Sequence, residues 1–203
     1  TGTYDPNQLG PADDDLEVSV GGRTYDLGDP ELEIDGTGGW TLTLSAGADT
    51  LPDGTFDVDV RQLDPEGNLA VDATLDEIVV DSTAPAAPTV DGLVTAAFQP
   101  TLTGGYDASD YDALSVTVGT TTYTEGVDPA LTVDGAGVWT LDLSMTGQSL
   151  DEGIYDVAAV QSDALGNVSQ DVSVDELIVD RTAPTAPTVN STISADGLPV
   201  LQG

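Results

Sequence analysis

The stretch Trp40-Thr-Leu-Thr-Leu44 returns as Trp139-Thr-Leu-Asp-Leu143, 99 residues later, and that return decides the fold. In both copies apolar side chains alternate with polar ones, the period of a strand with one buried face. The same offset carries Asp81-Ser-Thr-Ala-Pro-Ala-Ala-Pro-Thr-Val90 to Asp180-Arg-Thr-Ala-Pro-Thr-Ala-Pro-Thr-Val189, and Asp64-Pro-Glu-Gly-Asn68 to Asp163-Ala-Leu-Gly-Asn167. Leu16-Glu-Val-Ser-Val20 pairs with Leu114-Ser-Val-Thr-Val118 at an offset of 98, so the first copy has a longer loop before that strand. A period near 99 residues is too long for a solenoid repeat and is the size of one sandwich domain.

The phase of the repeat sets the boundaries. Residues 1–81 read as a first repeat without its opening strand, 82–88 as a linker, and 89–180 as a complete second repeat. Residues 181–187 read as a second linker and 188–203 as the first strand of a third repeat. The chain therefore reads as a cut from a longer array. In the linkers, Thr83-Ala-Pro-Ala-Ala-Pro88 and Thr182-Ala-Pro-Thr-Ala-Pro187, paired prolines fix φ and hold the residue before each in extended geometry. The result is a short, stiff connection.

Outward from the tryptophans, alternation marks further strands: Leu16, Val18, Val20; Phe56, Val58, Val60; and their copies Leu114, Val116, Val118 and Tyr155, Val157, Ala159. A last strand takes in Ala73, Leu75, Ile78 and Val80, copied as Val172, Val174, Leu177 and Val179. Its alternation slips by one at Glu77 and Glu176, which predicts a β-bulge. Asp35-Gly36, Asp134-Gly135, Asp53-Gly54, Glu152-Gly153 and the two Asp-x-x-Gly-Asn loops supply the turns. About seven short strands per repeat, with no helix-periodic run, fit a Greek-key sandwich. Trp40 and Trp139 are the expected core anchors.

Composition narrows function. The chain has 203 residues with 37 acidic and 3 basic side chains, a net charge of −34, and no Cys or His. The basic residues are Arg23, Arg61 and Arg181, so lysine is absent too. Disulfides, thiolate chemistry, histidine bases and lysine Schiff bases are excluded. Nucleic-acid backbones and anionic membranes would repel this surface, and no apolar run approaches the roughly 20 residues of a membrane span. Carboxylates, hydroxyls and the backbone are the catalytic groups that remain, a two-acid glycosidase dyad among their uses, but a duplicated unit without a large irregular loop offers no obvious cleft, and the expectation is no enzyme.

The acids are 29 Asp against 8 Glu, set among strand-formers and turn residues rather than in a disordered tail. Short carboxylates in tight loops suit Ca²⁺, which takes six to eight oxygens. In a sandwich of this kind the loop before the third strand and the last hairpin loop meet beside the incoming linker. In the second repeat that gathers Asp107, Asp110, Asp112, Asp163 and Asn167 with Asp81 and Thr83. At the other end Asp53 and Glu152 face the outgoing linker residues Asp81 and Asp180, and Asp64 and Asn68 repeat the hairpin set in the first copy. Unpaired carboxylates packed this closely repel, and a divalent cation removes that cost. The competing reading is local: Asp at the first position and Gly at the fourth is also an ordinary type I turn. Asn167-Val-Ser169 and Asn190-Ser-Thr192 match the glycosylation sequon, a pattern too short to carry weight.

Taken together, the Gly-rich strand at Thr103-Gly104, the Trp-Thr-Leu strands, Asp53-Gly-Thr-Phe-Asp-Val58 with Glu152-Gly-Ile-Tyr-Asp-Val157, the Asp-x-x-Gly-Asn loops and Asp-x-Thr-Ala-Pro resemble bacterial Ig-like tandem repeats. Such repeats form the extender region of giant RTX-type adhesins of the biofilm and ice-binding kind. The resemblance implies an all-β fold of tandem Ig-like Greek-key sandwiches joined by short Pro-containing linkers. It implies an extracellular, cell-surface rod with Ca²⁺ at the domain junctions, projecting a terminal ligand-binding region. The partners expected are neighbouring repeats of the same chain, with head-to-tail strand addition between fragments through residues 189–203. Two alternatives stand beside it: a binding module for carbohydrate or a host surface, using a patch of Tyr106, Tyr111 and Tyr123, and an acidic envelope protein of a halophile.

Overall fold

A computed structural model describes all residues except 48, 192–194, 196, 198 and 199. The chain divides into two compact units, Thr1–Thr83 and Ala84–Gly203.

Unit 1 contains β1 (Gly2–Thr3), β2 (Leu16–Val20), β3 (Arg23–Asp26), β4 (Leu32–Ile34), β5 (Gly39–Leu42), β6 (Gly54–Phe56), β7 (Val58–Leu63), β8 (Leu69–Val71) and β9 (Ile78–Val80). Its sheets run β1-β5-β4, β3-β2-β7-β8 and β6-β9. Unit 2 contains β10 (Leu93–Thr95), β11 (Thr101–Gly105), β12 (Ala113–Val118), β13 (Thr121–Thr124), β14 (Leu131–Val133), β15 (Val138–Asp142), β16 (Gly153–Tyr155), β17 (Val157–Ser162), β18 (Val168–Gln170) and β19 (Leu177–Val179). Its sheets run β11-β15-β14, β13-β12-β17-β18 and β10-β19-β16. Each unit is an all-β sandwich, and successive strands such as β11 and β12 fall in different sheets.

The alternation read from the sequence is the core. Leu114, Val116 and Val118 of β12 point into one cluster with Leu102 of β11, Trp139 and Leu141 of β15, Ala159 of β17 and Leu177 of β19. Leu16, Val18 and Val20 do the same around Trp40 in unit 1. Both tryptophans are buried core anchors, as expected. Glycine lets the indole lie against backbone: Gly104 pairs with Trp139 across β11 and β15, and a Cβ there would collide with the ring and with Thr89 O. Trp139 Nε1 donates to that same Thr89 carbonyl at 3.0 Å. Gly2 holds the corresponding place against Trp40.

Two sequence expectations are corrected. Phe56–Val60 and Tyr155–Ala159 are not single strands: each breaks at an aspartate, Asp57 or Asp156, into β6 and β7 or β16 and β17, which belong to different sheets. The last strand likewise is not one strand with a bulge at Glu77 or Glu176. β8 pairs with β7 while β9 pairs with β6, and Ala73 and Leu75 lie in a strandless crossing between them; unit 2 repeats this with β18, β19, Val172 and Val174. The crossings are fixed by reciprocal bonds. Asp76 N donates to Asp57 Oδ1 at 2.8 Å and Val58 N to Glu77 Oε2 at 2.9 Å. Asp175 and Val157 repeat the pair on Asp156 and Glu176. The turn into the final strand places Asp76 and Asp175 in the left-handed region, φ 64° in both, where Asp is one of the few tolerated side chains. The patch of Tyr106, Tyr111 and Tyr123 that the carbohydrate-binding alternative would use does not form on the surface. Tyr106 and Tyr123 are core residues, and Tyr111 packs edge-on against Tyr106.

Candidate functional site

At the end of unit 2 where the chain enters, the loop between β11 and β12 meets the β17–β18 hairpin. Gln161 joins them. It is fully buried on β17, its Oε1 accepts Asp107 N at 2.8 Å, and its Nε2 donates to the carbonyls of Asp107 and Asp110 at 2.8 and 2.7 Å. One amide thereby satisfies three backbone groups that would otherwise be costly to leave unpaired. Asp107 adds the entering segment: its Oδ2 accepts Ala86 N at 3.2 Å, while its Oδ1 accepts Ser109 N and Oγ at 3.0 and 2.6 Å. Ser169 Oγ donates to Ala86 O at 3.3 Å, so Ala86 is held from both loops. The Ser109 hydroxyl and N–H and the Ala86 N–H keep the Asp107 carboxyl below its ordinary range.

The hairpin loop is built on Asp163. Its Oδ1 accepts Leu165 N and Asn167 N, both at 2.9 Å, and its Oδ2 accepts Asn167 Nδ2 at 2.7 Å. Gly166 takes φ 90° to close the turn. The Asn167 side-chain amide is the main cause that depresses the Asp163 carboxyl, against the opposing pull of burial. Asp163 is only 3 % exposed, an unusual state for a carboxylate. The three arginines are engaged elsewhere: Arg23 with Asp49, Arg61 with Glu17, and Arg181 with Leu150 O and the face of Phe98.

Asp110 brings a carboxylate oxygen within 4.8 Å of one of Asp163. Two oxygens across one Ca²⁺ with bonds of 2.3–2.6 Å stand at most about 5 Å apart. The donors are hard oxygens, and their spacing fits that ion. Three of the roughly four acceptor sites of a carboxylate are used on Asp163 by its own turn, so coordination would fall to Oδ2.

The remaining candidates separate into groups. Asp112 is exposed and joins the sheet through its backbone, N to Ser162 O at 2.9 Å. In unit 1, Asp64 and Asn68 reproduce the Asp163 loop bond for bond, and Asn68 lowers the Asp64 carboxyl as Asn167 does that of Asp163. Gln62 ties this end to Asp5 through two backbone bonds. Asp53 clips the segment after β9: Oδ1 accepts Ser82 N and Oγ, and Oδ2 accepts Thr83 Oγ1 at 2.5 Å. Thr83 and then Ser82 hold the Asp53 carboxyl low. Glu152 does the same in unit 2, accepting Thr182 Oγ1 at 2.6 Å. Asp81 and Asp180 each accept the N–H two residues on, from Thr83 and Thr182.

Sequence reasoning passed over Gln62 and Gln161. The signal was present: they extend the inward series Val58, Val60, Gln62 and Val157, Ala159, Gln161. A polar residue recurring at an inward position marks a buried hydrogen-bonding task.

Residues 86–181 match the family model of the bacterial Ig-like domain. The match covers the strands of unit 2 from β10 to β19. With the same motifs repeated in unit 1, it supports a reading of the chain as bacterial Ig-like repeats, a family whose domains are typically non-enzymatic and often carried by surface proteins. No curated protein matches the chain. No helix among the described residues is long and apolar enough to cross a membrane.

Proposed function

We propose that these Ig-like units are spacer repeats of a large secreted bacterial surface adhesin, stiffened by Ca²⁺ at the domain junctions so that a terminal ligand-binding region stands away from the cell. The observation that supports this reading best is the buried Asp163 carboxylate with Asp110 at a spacing that suits Ca²⁺. Asp81 and Asp180 of the linkers are the further oxygen ligands the sequence offers. The ion would supply the positive charge that a chain of net charge −34 lacks. The residues do the positioning: Gln161 fixes the Asp110 carbonyl, and Asn167 orients Asp163. The core positions of Tyr106 and Tyr123 weigh against an aromatic carbohydrate platform.

Binding to the folded state alone raises stability by mass action, and extracellular modules bind Ca²⁺ with Kd of about 10⁻⁴–10⁻³ M. Titration calorimetry with millimolar Ca²⁺ is expected to show saturable heat, and EDTA to lower the melting temperature. Asp110→Asn with Asp163→Asn is expected to abolish both responses. No heat together with an EDTA-insensitive melt would overturn the metal reading.

A further inference from the structure

The four-stranded sheets of the two units share strand order and register but not charge. In unit 1 the outward positions of β3-β2-β7-β8 carry Glu17, Asp26, Asp59 and Arg61. Glu17 lies between Asp26 and Arg61 in the ladder, with Arg61 Nη1 at 3.0 Å from its carboxylate, and Asp59 stands opposite Ser19.

In unit 2 no residue of β13, β12, β17 or β18 is charged. Leu114, Val116, Val157 and Ala159 turn inward and are buried. The residues between them form two outward rows, one of Thr122, Thr117 and Ala158, the other of Thr124, Ser115, Val160 and Gln170. All of these are exposed or half-exposed. Ser115, Thr124, Ala158 and Val160 stand where unit 1 has Glu17, Asp26, Asp59 and Arg61. The hydroxyl pair is kept: Thr117 and Thr122 are 2.8 Å apart, as Ser19 and Thr24 are at 2.7 Å. Acids return at the strand ends, as Asp112, Glu125, Asp156 and Asp171.

A neutral sheet on a chain of net charge −34 selects its partner by exclusion. Desolvating charges is costly; a partner laid on the unit 1 sheet must strip water from four of them, and on the unit 2 sheet from none. A cationic partner would be drawn to the acids elsewhere. Small ligands favour concave pockets lined by apolar and aromatic groups, whereas this is an open sheet whose one tyrosine, Tyr123, is turned inward. What suits such a surface is a second one like it, since sheets pack face to face about 10 Å apart with their strands within about 30° of each other.

We infer that the outer face of β13-β12-β17-β18 is a lateral contact between two copies of the chain, unit 2 against unit 2. The same patch serves on both sides, so the contact is two-fold and closed. Strands about 4.8 Å apart with a rise of about 3.3 Å per residue give each face at most roughly 400 Å². The pair then buries about 800 Å², under the 1,200 Å² or so at which specific stable interfaces begin. One contact is therefore weak. The acids at the strand ends repel across it, and salt screens them, so the contact tightens as salt rises, the reverse of an ion-paired interface.

Sedimentation equilibrium of the 203-residue chain in EDTA, over a wide range of protein and NaCl concentrations, tests this apart from calcium. Average mass is expected to climb toward twice the monomer, and to do so at lower protein concentration when salt is high. Ser115→Glu with Ala158→Asp installs residues that unit 1 already carries on the same strands, and is expected to stay monomeric with unchanged circular dichroism. Glu17→Ser with Asp26→Thr, Asp59→Ala and Arg61→Val gives unit 1 the neutral face, and is expected to carry the mass beyond the dimer. A wild-type chain that is monomeric under every condition would overturn the proposal. So would association that Ser115→Glu with Ala158→Asp leaves intact, no gain in the reciprocal variant, or retention on an uncharged polysaccharide without self-association.

Discussion

Trp139, Leu141, Ala159 and Leu177 of unit 2 are sealed from solvent, while Leu42, Val60 and Ile78, at the matching places in unit 1, remain half-exposed and Trp40 keeps a little exposure. The two units share strand order, tryptophan, glycine partner and hairpin loops. Unit 2 has in addition the segment Thr89–Thr95, which covers the core beside β19. An Ig-like sandwich thus gets its register from the strands it shares with unit 1. It gets its dry interior from the strand that precedes them. Burial scales hydrophobic stabilisation, so the two units are expected to melt separately, unit 1 first.

The sharpest way to break this comparison is to remove the anchors. Trp139→Ala is expected to cost about 3–5 kcal/mol, because its surroundings are closed on every side. Trp40→Ala, beside core residues that stay half-exposed, is expected to cost clearly less. Denaturant titration of each single variant by circular dichroism, with the remaining tryptophan marking the transition of the unmutated unit, gives both values. Equal losses would mean that Trp40 is packed as closely in solution as Trp139.

A smaller contrast lies in the buried amides. Gln161→Leu leaves the Asp107 N–H and two carbonyls without their partner and is expected to cost about 2 kcal/mol or more. Gln62→Leu releases a half-buried loop with two bonds, for about 1 kcal/mol. Hydrogen exchange should show the faster opening confined to the loop that each glutamine holds.

The smallest effect is alkaline. Burial, and then the hydrogen bond from its hydroxyl to Glu125 Oε2, push the Tyr111 phenol up to about 12. A raised folded value contributes stability that is complete below the ordinary phenol pKa near 10 and is lost as pH rises through about 12. Asp13 stands at the matching point of the longer unit 1 loop, so this contribution belongs to unit 2. Ultraviolet titration of Tyr111→Phe should lose the late-titrating phenol. A wild-type curve in which every phenol titrates near the ordinary value of about 10 would contradict the packing of Tyr111.

How much was legible follows from what each signal measures. The alternation of Leu16, Val18 and Val20 and of Trp139 and Leu141 reports an inward face, and the structure has those faces inward. Alternation does not report which sheet a strand joins. Phe56 and Val58 both face the same core from different sheets, so the break at Asp57 leaves no trace in the period. The same holds for Leu75 and Ile78, where a slip in phase reads as a bulge although the chain is changing sheets. The Asp-x-x-Gly-Asn turns were legible because their chemistry is local. The approach of Asp110 to Asp163 was anticipated from loop order, but its scaffold was not, since a glutamine bound to the backbone of a distant loop has no sequence spacing to betray it.

The parallel pairing of β10 with β19 has a mechanical consequence. The first and last strands of unit 2 lie side by side and point the same way, so tension applied at its two chain ends would pull along both strands in opposite directions. The ladder is then loaded in shear, with its slanted, evenly spaced bonds sharing the force instead of opening one at a time. Resistance to pulling is governed by the unfolding rate rather than by equilibrium stability. A protein under tension would draw its toughness from this short clamp, and little of it from the size of the core behind.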